Sequence, residues 1–418
     1  MDPISDDSLL TLIEYRTFQY FWDGAEPVSG MACERIHMDG IYPENDKNIV
    51  TTGGSGFGFM AILAGTERGF ITREQATERF FKIVSFLKRA DHFHGAWPHW
   101  LNGETGKVKP FSAKDDGADL VETAYMMQGL LCVRQYFKDG NENERKLANE
   151  IDVLWKGVEW SWFTQGGKDV LYWHWSPKYG WDMNMPVQGY NECLILYVLA
   201  ASSPTFPISA DAYHKGWARN GAIKGDTEAF GYKLSLKHNG AHKYGGPLFW
   251  AHYSYLGLDP RHLKDEYANY WEHNVNQTLI NREWCIKNPG KFKGYGPDCW
   301  GLTASYSVKY YAAHAPGTEN DQGVITPTAA ISSIPYTPKF SMEVIRHFYD
   351  DLGDKIWGKF GFYDAFSITD DYFATKYLAI DQGPEVVMIE NYRTQLLWKL
   401  FMSSPEIPKG LDKLGFTY

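Results

Sequence analysis

The sequence predicts an all-α chain folded as an (α/α)6 barrel, a toroid of six helical hairpins with long loops at one end. Three observations carry this: about a dozen segments with helical spacing of apolar residues, few alternating stretches of the strand type, and a division of the helices into two kinds. Helices are expected near 6–22, 57–66, 73–90, 117–138, 144–163, 189–202, 210–220, 247–256, 263–281, 301–313, 340–352 and 384–402. The segment Thr72–Ala90 opens with a capping-box pattern of Thr72 and Gln75 and sets charge against Phe80, Phe81, Val84 and Leu87, as an outer helix does. By contrast Gly117–Val133 and Gly189–Ala201 are apolar nearly all round, as inner helices are. Alternating outer and inner helices build two concentric rings, and no fixed-period repeat supports a solenoid instead.

Two long Gly/Pro-rich loops interrupt the helices, at 94–116 and 286–300. The first is expected to hold a short hairpin, with 97–101 and 107–111 flanking Asn102–Gly106. The run Gly53-Gly54-Ser55-Gly56-Phe57-Gly58 lacks the Lys-Ser/Thr ending of a phosphate loop and follows no predicted strand, so close helix packing is its expected role.

Composition narrows the function. The 418 residues read as one domain, with 44% hydrophobic and 16% aromatic residues, including 16 Trp and 27 Tyr. That aromatic load exceeds what core filling demands, so some rings are expected to line a binding surface. The formal net charge of −10 gives no basic field for nucleic acid or anionic lipid, and no apolar run spans a bilayer. Five cysteines at irregular spacing read as mostly free thiols. His92, His94 and His99 cluster in sequence without a helical ligand pair, so no metal is expected, and no cofactor. The start, Met1 to Asp7, shows neither a basic nor an apolar stretch, so no signal peptide is visible. A periplasmic or secreted monomer is the expectation, with a cytoplasmic placement open.

Carboxylates in apolar surroundings are the candidate chemistry. Asp115, Asp119 and Glu122 stand at i, i+4 and i+7, which puts all three on one face if the helix begins by Asp115, on a stripe that continues through Met126, Leu130 and Val133. Crowded, partly desolvated carboxylates acquire separated proton affinities. Glu192 is placed in the first turn of another apolar helix, beside Gln188 and Asn191, where burial would keep it protonated and able to protonate a leaving oxygen. Asp381 precedes Gln382-Gly383-Pro384 at a helix mouth, with Pro384 suited to the first helical position; Asp321-Gln322-Gly323 is a second, similar copy. Glu390 and Arg393 read as a buried ion pair. The aromatic candidates for a ligand surface are Trp97, Trp100, Trp181, Tyr295 and Trp300.

The segments TTGGSGFGFMAI (51–62), DDGADLVETAYMMQGLL (115–131), GYNECLILYVLA (189–200), YGPDCWGLTAS (295–305), VITPTAAISSIPYTP (324–338) and DQGPEVVMIENYRTQLLWKLF (381–401) resemble the bacterial glycoamylase-like family, glycoside hydrolase family 144. The resemblance spans most of the chain. It implies an (α/α)6 barrel and an inverting endo-β-1,2-glucanase that cuts linear β-1,2-glucan to sophorooligosaccharides. Carried over residue by residue, the family's acidic cluster falls on Asp115, Asp119 and Glu122, and the Glu of its Asn-Glu pair on Glu192. The same analogy makes Glu192 the general acid and Asp381, in the DQGP segment, the general base, with Asp119 and Glu122 as competitors. Family members also occur as domains attached to cyclic glucan synthases, so the exact substrate does not follow from the resemblance.

Overall fold

A computed structural model of the chain describes residues 4–240 and 243–418. Thirteen α-helices are found among them. They are α1 (Asp6–Trp22), α2 (Thr52–Glu67), α3 (Arg73–Arg89), α4 (Leu120–Phe137), α5 (Glu142–Gly157), α6 (Leu194–Ser202) and α7 (Tyr270–Lys287), followed by α8 (Pro327–Ile331), α9 (Pro338–Arg346), α10 (Gly353–Ile356), α11 (Ala379–Thr394), α12 (Leu396–Met402) and α13 (Glu406–Leu414). Strands are short, from two to six residues, and pair antiparallel in small ribbons, so the all-α expectation holds. None of the described helices is long and apolar enough to cross a membrane. The reading of the chain start rests partly on Met1, Asp2 and Pro3, which lie outside the described residues.

The two kinds of helix are present. Every residue of α6 is buried, as are nearly all of α2 and α4, whereas α3 and α5 bury one face and expose a charged one. Both amphipathic helices start with a capping box, Thr72 with Gln75 and Asn141 with Glu144. Helix α2 packs against α4 and α11, α4 against α5 and α6, and α6 against α13. One large apolar core joins these helices, and a second cluster gathers under α8, α9 and the loop before Trp300. The glycine run serves packing, as its composition suggested: Gly56 and Gly129 face each other where α2 crosses α4. A three-residue strand, Ile49–Thr51, does precede it.

Several expected helices are different in the structure, each for a local reason. The 301–313 segment is not helical; Ala304–Ser305 pairs with Ala312–Ala313. Ser307 Oγ accepts the N–H groups of Lys309 and Tyr310 there, a turn that competes with a helix. The 263–281 helix starts at Tyr270, because Asp265 Oδ1 accepts the N–H groups of Tyr267 and Ala268 and Asn269 provides the cap. Residues 247–256 form two 3₁₀ turns, Leu248–Ala251 and Tyr253–Tyr255, and 212–217 form a π turn. The expected 144–163 helix ends at Gly157 and continues as a 3₁₀ turn at Trp160–Thr164. Helix α13, Glu406–Leu414, lies beyond the last segment expected to be helical. The hairpin in the 94–116 loop exists in shifted form: Trp100–Asn102 pairs with Val108–Lys109, and Ile49–Thr51 adds a third strand.

Glu390 and Arg393 do not pair with each other, contrary to expectation. Glu390 takes Arg68 at 2.6 Å, Arg393 takes Glu14 at 2.6 Å, and Arg68 also reaches Glu14 at 3.0 Å. The network ties α1 and α11 to the end of α2. All five cysteines are unpaired, and Cys132 and Cys193 are buried as small apolar groups.

Candidate active site

Two neighbouring cavities open on two of the expected carboxylates, Glu122 and Glu192, while Asp115, Asp119 and Asp381 line neither. The first, of about 270 Å³, is lined by Glu34, Arg35, His99, Trp100, Phe111, Glu122, Tyr125, Tyr253, Tyr306 and Tyr311, with Thr51, Leu378 and Ile380. The second, of about 320 Å³, is lined by Glu192 and Asn191 with Trp173, Met185, Asn239, Phe249, Trp250 and Asn320, among others. Tyr253 of the first packs on Phe249 of the second, ring centroids 4.9 Å apart. The Tyr125 hydroxyl donates to the carbonyl of Glu192 at 3.4 Å, and Ser254 Oγ donates to the same oxygen at 2.5 Å. The segment bearing Glu192 is thus pinned between the two cavities.

The acidic trio converges, but not as one helix face. Helix α4 begins at Leu120, so Asp119 is its N-cap and its Oδ1 accepts the Glu122 N–H at 2.9 Å; Asp115 lies in the loop before it. Asp119 sits on a two-residue strand paired with His174–Trp175, and Asp115 Oδ2 lies 3.6 Å from His174 Nε2. His99 bridges the group, with Nδ1 3.1 Å from Asp119 Oδ2 and Nε2 3.9 Å from Glu122 Oε1. Glu122 Oε2 accepts the Gly53 N–H at 2.7 Å, a contact open only because residue 53 has no side chain. His99, Asp115 and Asp119 also form a grouping, among the described residues, whose ligand atoms lie within 4.8 Å of one another and could hold a metal ion, although the His99–Asp119 bond already occupies two of them.

Glu192 precedes α6, which begins at Leu194, and so lies in the turn into that helix and not in its first turn. Asn191 Oδ1 accepts the Cys193 N–H at 2.9 Å and fixes that turn. Asp381 lies inside α11, which begins at Ala379; Pro384 is in the helix interior and offers no N–H to the Ile380 carbonyl. Asp381 is 2% exposed, and its charge helps raise the hydroxyls of Tyr253 and Tyr311, which line the first cavity.

The aromatic expectations divide. Trp100 lines the first cavity. Trp97 (2% exposed) and Trp300 (0%) are core side chains and offer no face to a ligand; the Trp97 indole N–H donates to the Leu87 carbonyl. Tyr295 donates to Asp321 at 2.7 Å and packs on Phe292, and Trp181 packs among Trp162, Phe163 and Tyr172. Neither lines the two cavities, nor does half-buried Gln188. Asp321, in the second Asp-Gln-Gly copy, is structural: it accepts from Trp284, Tyr295 and the Gly323 N–H. The residues that sequence reasoning missed, Glu34, Arg35, Phe111, Tyr253, Tyr306 and Tyr311 above all, come from short strands, 3₁₀ turns and irregular segments, and Tyr253, Tyr306 and Tyr311 lie in stretches expected as helices. Glu34 and Arg35 are ion-paired, and the Arg35 guanidinium lies over Trp100, 5.7 Å from the ring centroid.

Burial separates the proton affinities. It raises Glu192 to about 7, opposed by its own backbone N–H and reinforced by the Glu122 charge. Glu122 is raised to about 7 by burial against the pull of His99, and Asp115 to about 7 by burial and the Asp119 charge. Asp119, although buried, is held below the usual carboxylate range by its bond to His99. His99 is raised to about 9: burial opposes its charge, but Glu122 and Asp119 outweigh it.

These values fix a pH dependence. Glu14, raised to about 8 by burial and Glu390, joins Asp115, Glu122 and Glu192 in keeping a proton that the unfolded chain loses near ~4. Their contribution is full below that value and is lost as pH rises through 7 to 8. The His99 contribution is full below ~6.5 and is lost through about 9. Buried His252 and His273, held neutral with values lowered to about 3, act oppositely but only below ~6.5, since above it they are neutral folded or unfolded. The melting temperature should therefore fall steadily between about pH 6.5 and 8.5; calorimetry showing a flat or rising profile there would contradict the burial of these acids.

The family model for glycoamylase, described as "Putative glucoamylase", matches residues 184–405, more than half of the chain. The chain is 67% identical to an endo-β-1,2-glucanase from Chitinophaga pinensis, solved in complex with sophorotriose and glucose; the match covers 100% of this chain and 99% of that one, with a TM-score of 0.99. The chain belongs to the glycoamylase-like family. A further relative, the exo β-1,2-glucooligosaccharide sophorohydrolase (non-reducing end) of Parabacteroides distasonis, is 46% identical over 99% of this glycoamylase-like chain, which spans 58% of that protein's length. A solved β-1,2-glucanase from Parabacteroides distasonis is 45% identical, with a TM-score of 0.93, covering 99% of this chain and 60% of that one.

Proposed function

We propose that this chain is a glycoside hydrolase that cuts linear β-1,2-glucan internally, with inversion, and releases sophorooligosaccharides. The observation that carries the reading is the pair of aromatic-lined cavities with Glu192 opening on one, Glu122 on the other, and both acids raised toward neutrality. Glucan hydrolysis needs an acid that keeps its proton at the leaving oxygen and a carboxylate that activates water. Glu192 takes the acid role. Asp381 takes the base role, directly or through a substrate hydroxyl. Asp119 is a weaker candidate base, since its helix cap and His99 occupy both oxygens; Glu122, which opens on the cavity, is the nearer competitor. The helices close into an (α/α)6 barrel in this reading, forming one domain that acts as a monomer in the periplasm or outside the cell.

The endo assignment is supported by the 67% identity to a named endo-β-1,2-glucanase over its whole length. The exo reading draws on the 46% identical sophorohydrolase. Incubation with linear β-1,2-glucan separates them: early products of mixed length support endo cleavage, and sophorose alone from the first minutes supports exo. Proton NMR of the first anomer formed reads inversion.

Trp100 and Phe111 lie 4.8 Å apart at the cavity wall, where apolar sugar faces can stack on rings. Trp100→Ala should raise KM roughly tenfold with little change in kcat, since a stacking contact binds ground and transition states alike. Trp97→Phe should instead lower the melting temperature and leave KM unchanged. Equal KM values for Trp100→Ala and the parent would remove Trp100 from the binding surface.

A further inference from the structure

Asp364 and Asp381 form a buried acid pair that sequence reasoning did not find. Each is 2% exposed, and their carboxyl groups are in hydrogen-bonding contact. Asp364 Oδ2 accepts the backbone N–H of Tyr306 at 2.8 Å, while Asp364 Oδ1 and Asp381 Oδ2 have no donor from any other group. Two carboxylates in contact cannot both be ionised in such a place, and a buried acceptor without a donor is unfavourable, so a single proton between them satisfies both oxygens.

The position gives the pair a task. Asp364 N–H donates to the Lys376 carbonyl at 2.9 Å, so Asp364 is anchored to the strand Lys376–Leu378 that leads into α11 and Asp381. Through Tyr306 N–H it also holds the segment that carries Tyr306 and Tyr311 along the first cavity. Thr328 Oγ1 donates to the Asp381 carbonyl at 2.7 Å and fixes the other side. The charged and titratable groups around the pair are Glu385 of α11, Glu34, Lys376, and the hydroxyls of Tyr253, Tyr306, Tyr311 and Tyr372.

We propose that Asp364 is a positioning residue for Asp381, sharing one proton with it and thereby setting when Asp381 is a free carboxylate. The inference rests on the reading of Asp381 as general base. During cleavage the water oxygen bonds to the anomeric carbon and that carbon's bond to the leaving oxygen breaks. Glu192 gives its proton to the leaving oxygen, and Asp381 takes one from the water or from a relaying sugar hydroxyl. Asp381 must start as carboxylate, so at that moment the shared proton resides on Asp364. Afterwards Asp381 returns a proton to solvent and Glu192 regains one.

Asp364→Asn keeps the shape and a neutral donor toward Asp381 but can no longer exchange a proton with it. The acidic limb of the kcat profile should then move to higher pH by about half a unit or more, because protonated Asp364 is the stronger donor to the Asp381 carboxylate and its own ionisation competes with that of Asp381 in the parent, with KM within about threefold of the parent. A purely structural role predicts a lower melting temperature and an unmoved limb, which would overturn the proposal. Infrared difference spectra provide a readout without catalysis: a protonated-carboxyl C=O band at neutral pH should disappear in Asp364→Asn and equally in Asp381→Asn, and its persistence in either overturns the shared proton. If Asp364→Asn does not fold, Asp381→Asn still reports that band. An active Asp381→Asn enzyme would sink the base assignment while the band separately judges the pair.

Discussion

Glu192→Gln should lower kcat/KM on β-1,2-glucan by roughly 10²- to 10⁴-fold, the range for removing a positioned general acid. The substitution keeps the shape and the backbone anchors, because the contacts from Tyr125 and Ser254 are made to the Glu192 carbonyl and not to its side chain. Folding should be preserved, and above about pH 7 the variant should melt at a higher temperature, since it no longer has to hold a carboxyl group raised to about 7 by burial. A substrate whose leaving group needs no proton discriminates an acid from a residue that merely grips sugar. On an activated aryl β-1,2-linked glucoside the loss should shrink to a few-fold, and the alkaline limb of the pH profile should vanish. An equal loss on both substrates would assign Glu192 to binding, and an active variant on glucan would remove it from the chemistry.

The sequence was most readable where one physical signal dominated. Helices α1 and α3 were placed nearly to the residue because their apolar spacing and caps agree. The carboxylates were legible because an acid in an apolar run needs a reason: Asp119, Glu122 and Glu192 stood out against Leu, Val and Cys neighbours. What failed was the geometry between elements. Asp115, Asp119 and Glu122 were expected on one helix face, but Asp119 caps the helix, and the trio is assembled by a strand pairing with His174 that spacing cannot reveal. Trp97, Trp100 and Trp300 look alike in sequence, and only packing decides that two fill the core while one meets the cavity. The place of His99 between Asp119 and Glu122 is likewise invisible in its spacing, because it joins a loop residue to a helix cap and a helix side chain. Asp364 and Glu34 lie in segments with no period: Asp364 takes the Tyr306 N–H from a distant segment, and Glu34, paired with its neighbour Arg35, stands where the strand Arg35–His37 meets Lys376–Leu378.

The largest stability effect is expected where α2 crosses α4. In most helices Gly→Ala stabilises by about 0.5–1 kcal/mol through backbone entropy and propensity. At Gly129 a Cβ would stand 2.1 Å from the Gly56 carbonyl oxygen, and at Gly56 one would stand 2.4 Å from the Tyr125 carbonyl oxygen and 2.5 Å from Met126 Cα. Those neighbours are backbone atoms of the facing helix and cannot rotate away, so the helices must separate. Overpacking typically costs about 1–3 kcal/mol and can cost more, which reverses the sign of the propensity gain. Gly56→Ala and Gly129→Ala should each lose about 3 kcal/mol or more in urea unfolding, while Gly157→Ala, with nothing within 4 Å of its Cβ, should be neutral or slightly stabilising. The consequence reaches the cavity, because the same crossing sets the 2.7 Å bond from Gly53 N–H to Glu122. Separating α2 from α4 lengthens that bond and removes a donor from the Glu122 carboxylate, so the folded variants should also show Glu122 titrating at higher pH. Unfolding midpoints for Gly56→Ala and Gly129→Ala equal to that of Gly157→Ala would show that the two helices are not held at backbone contact.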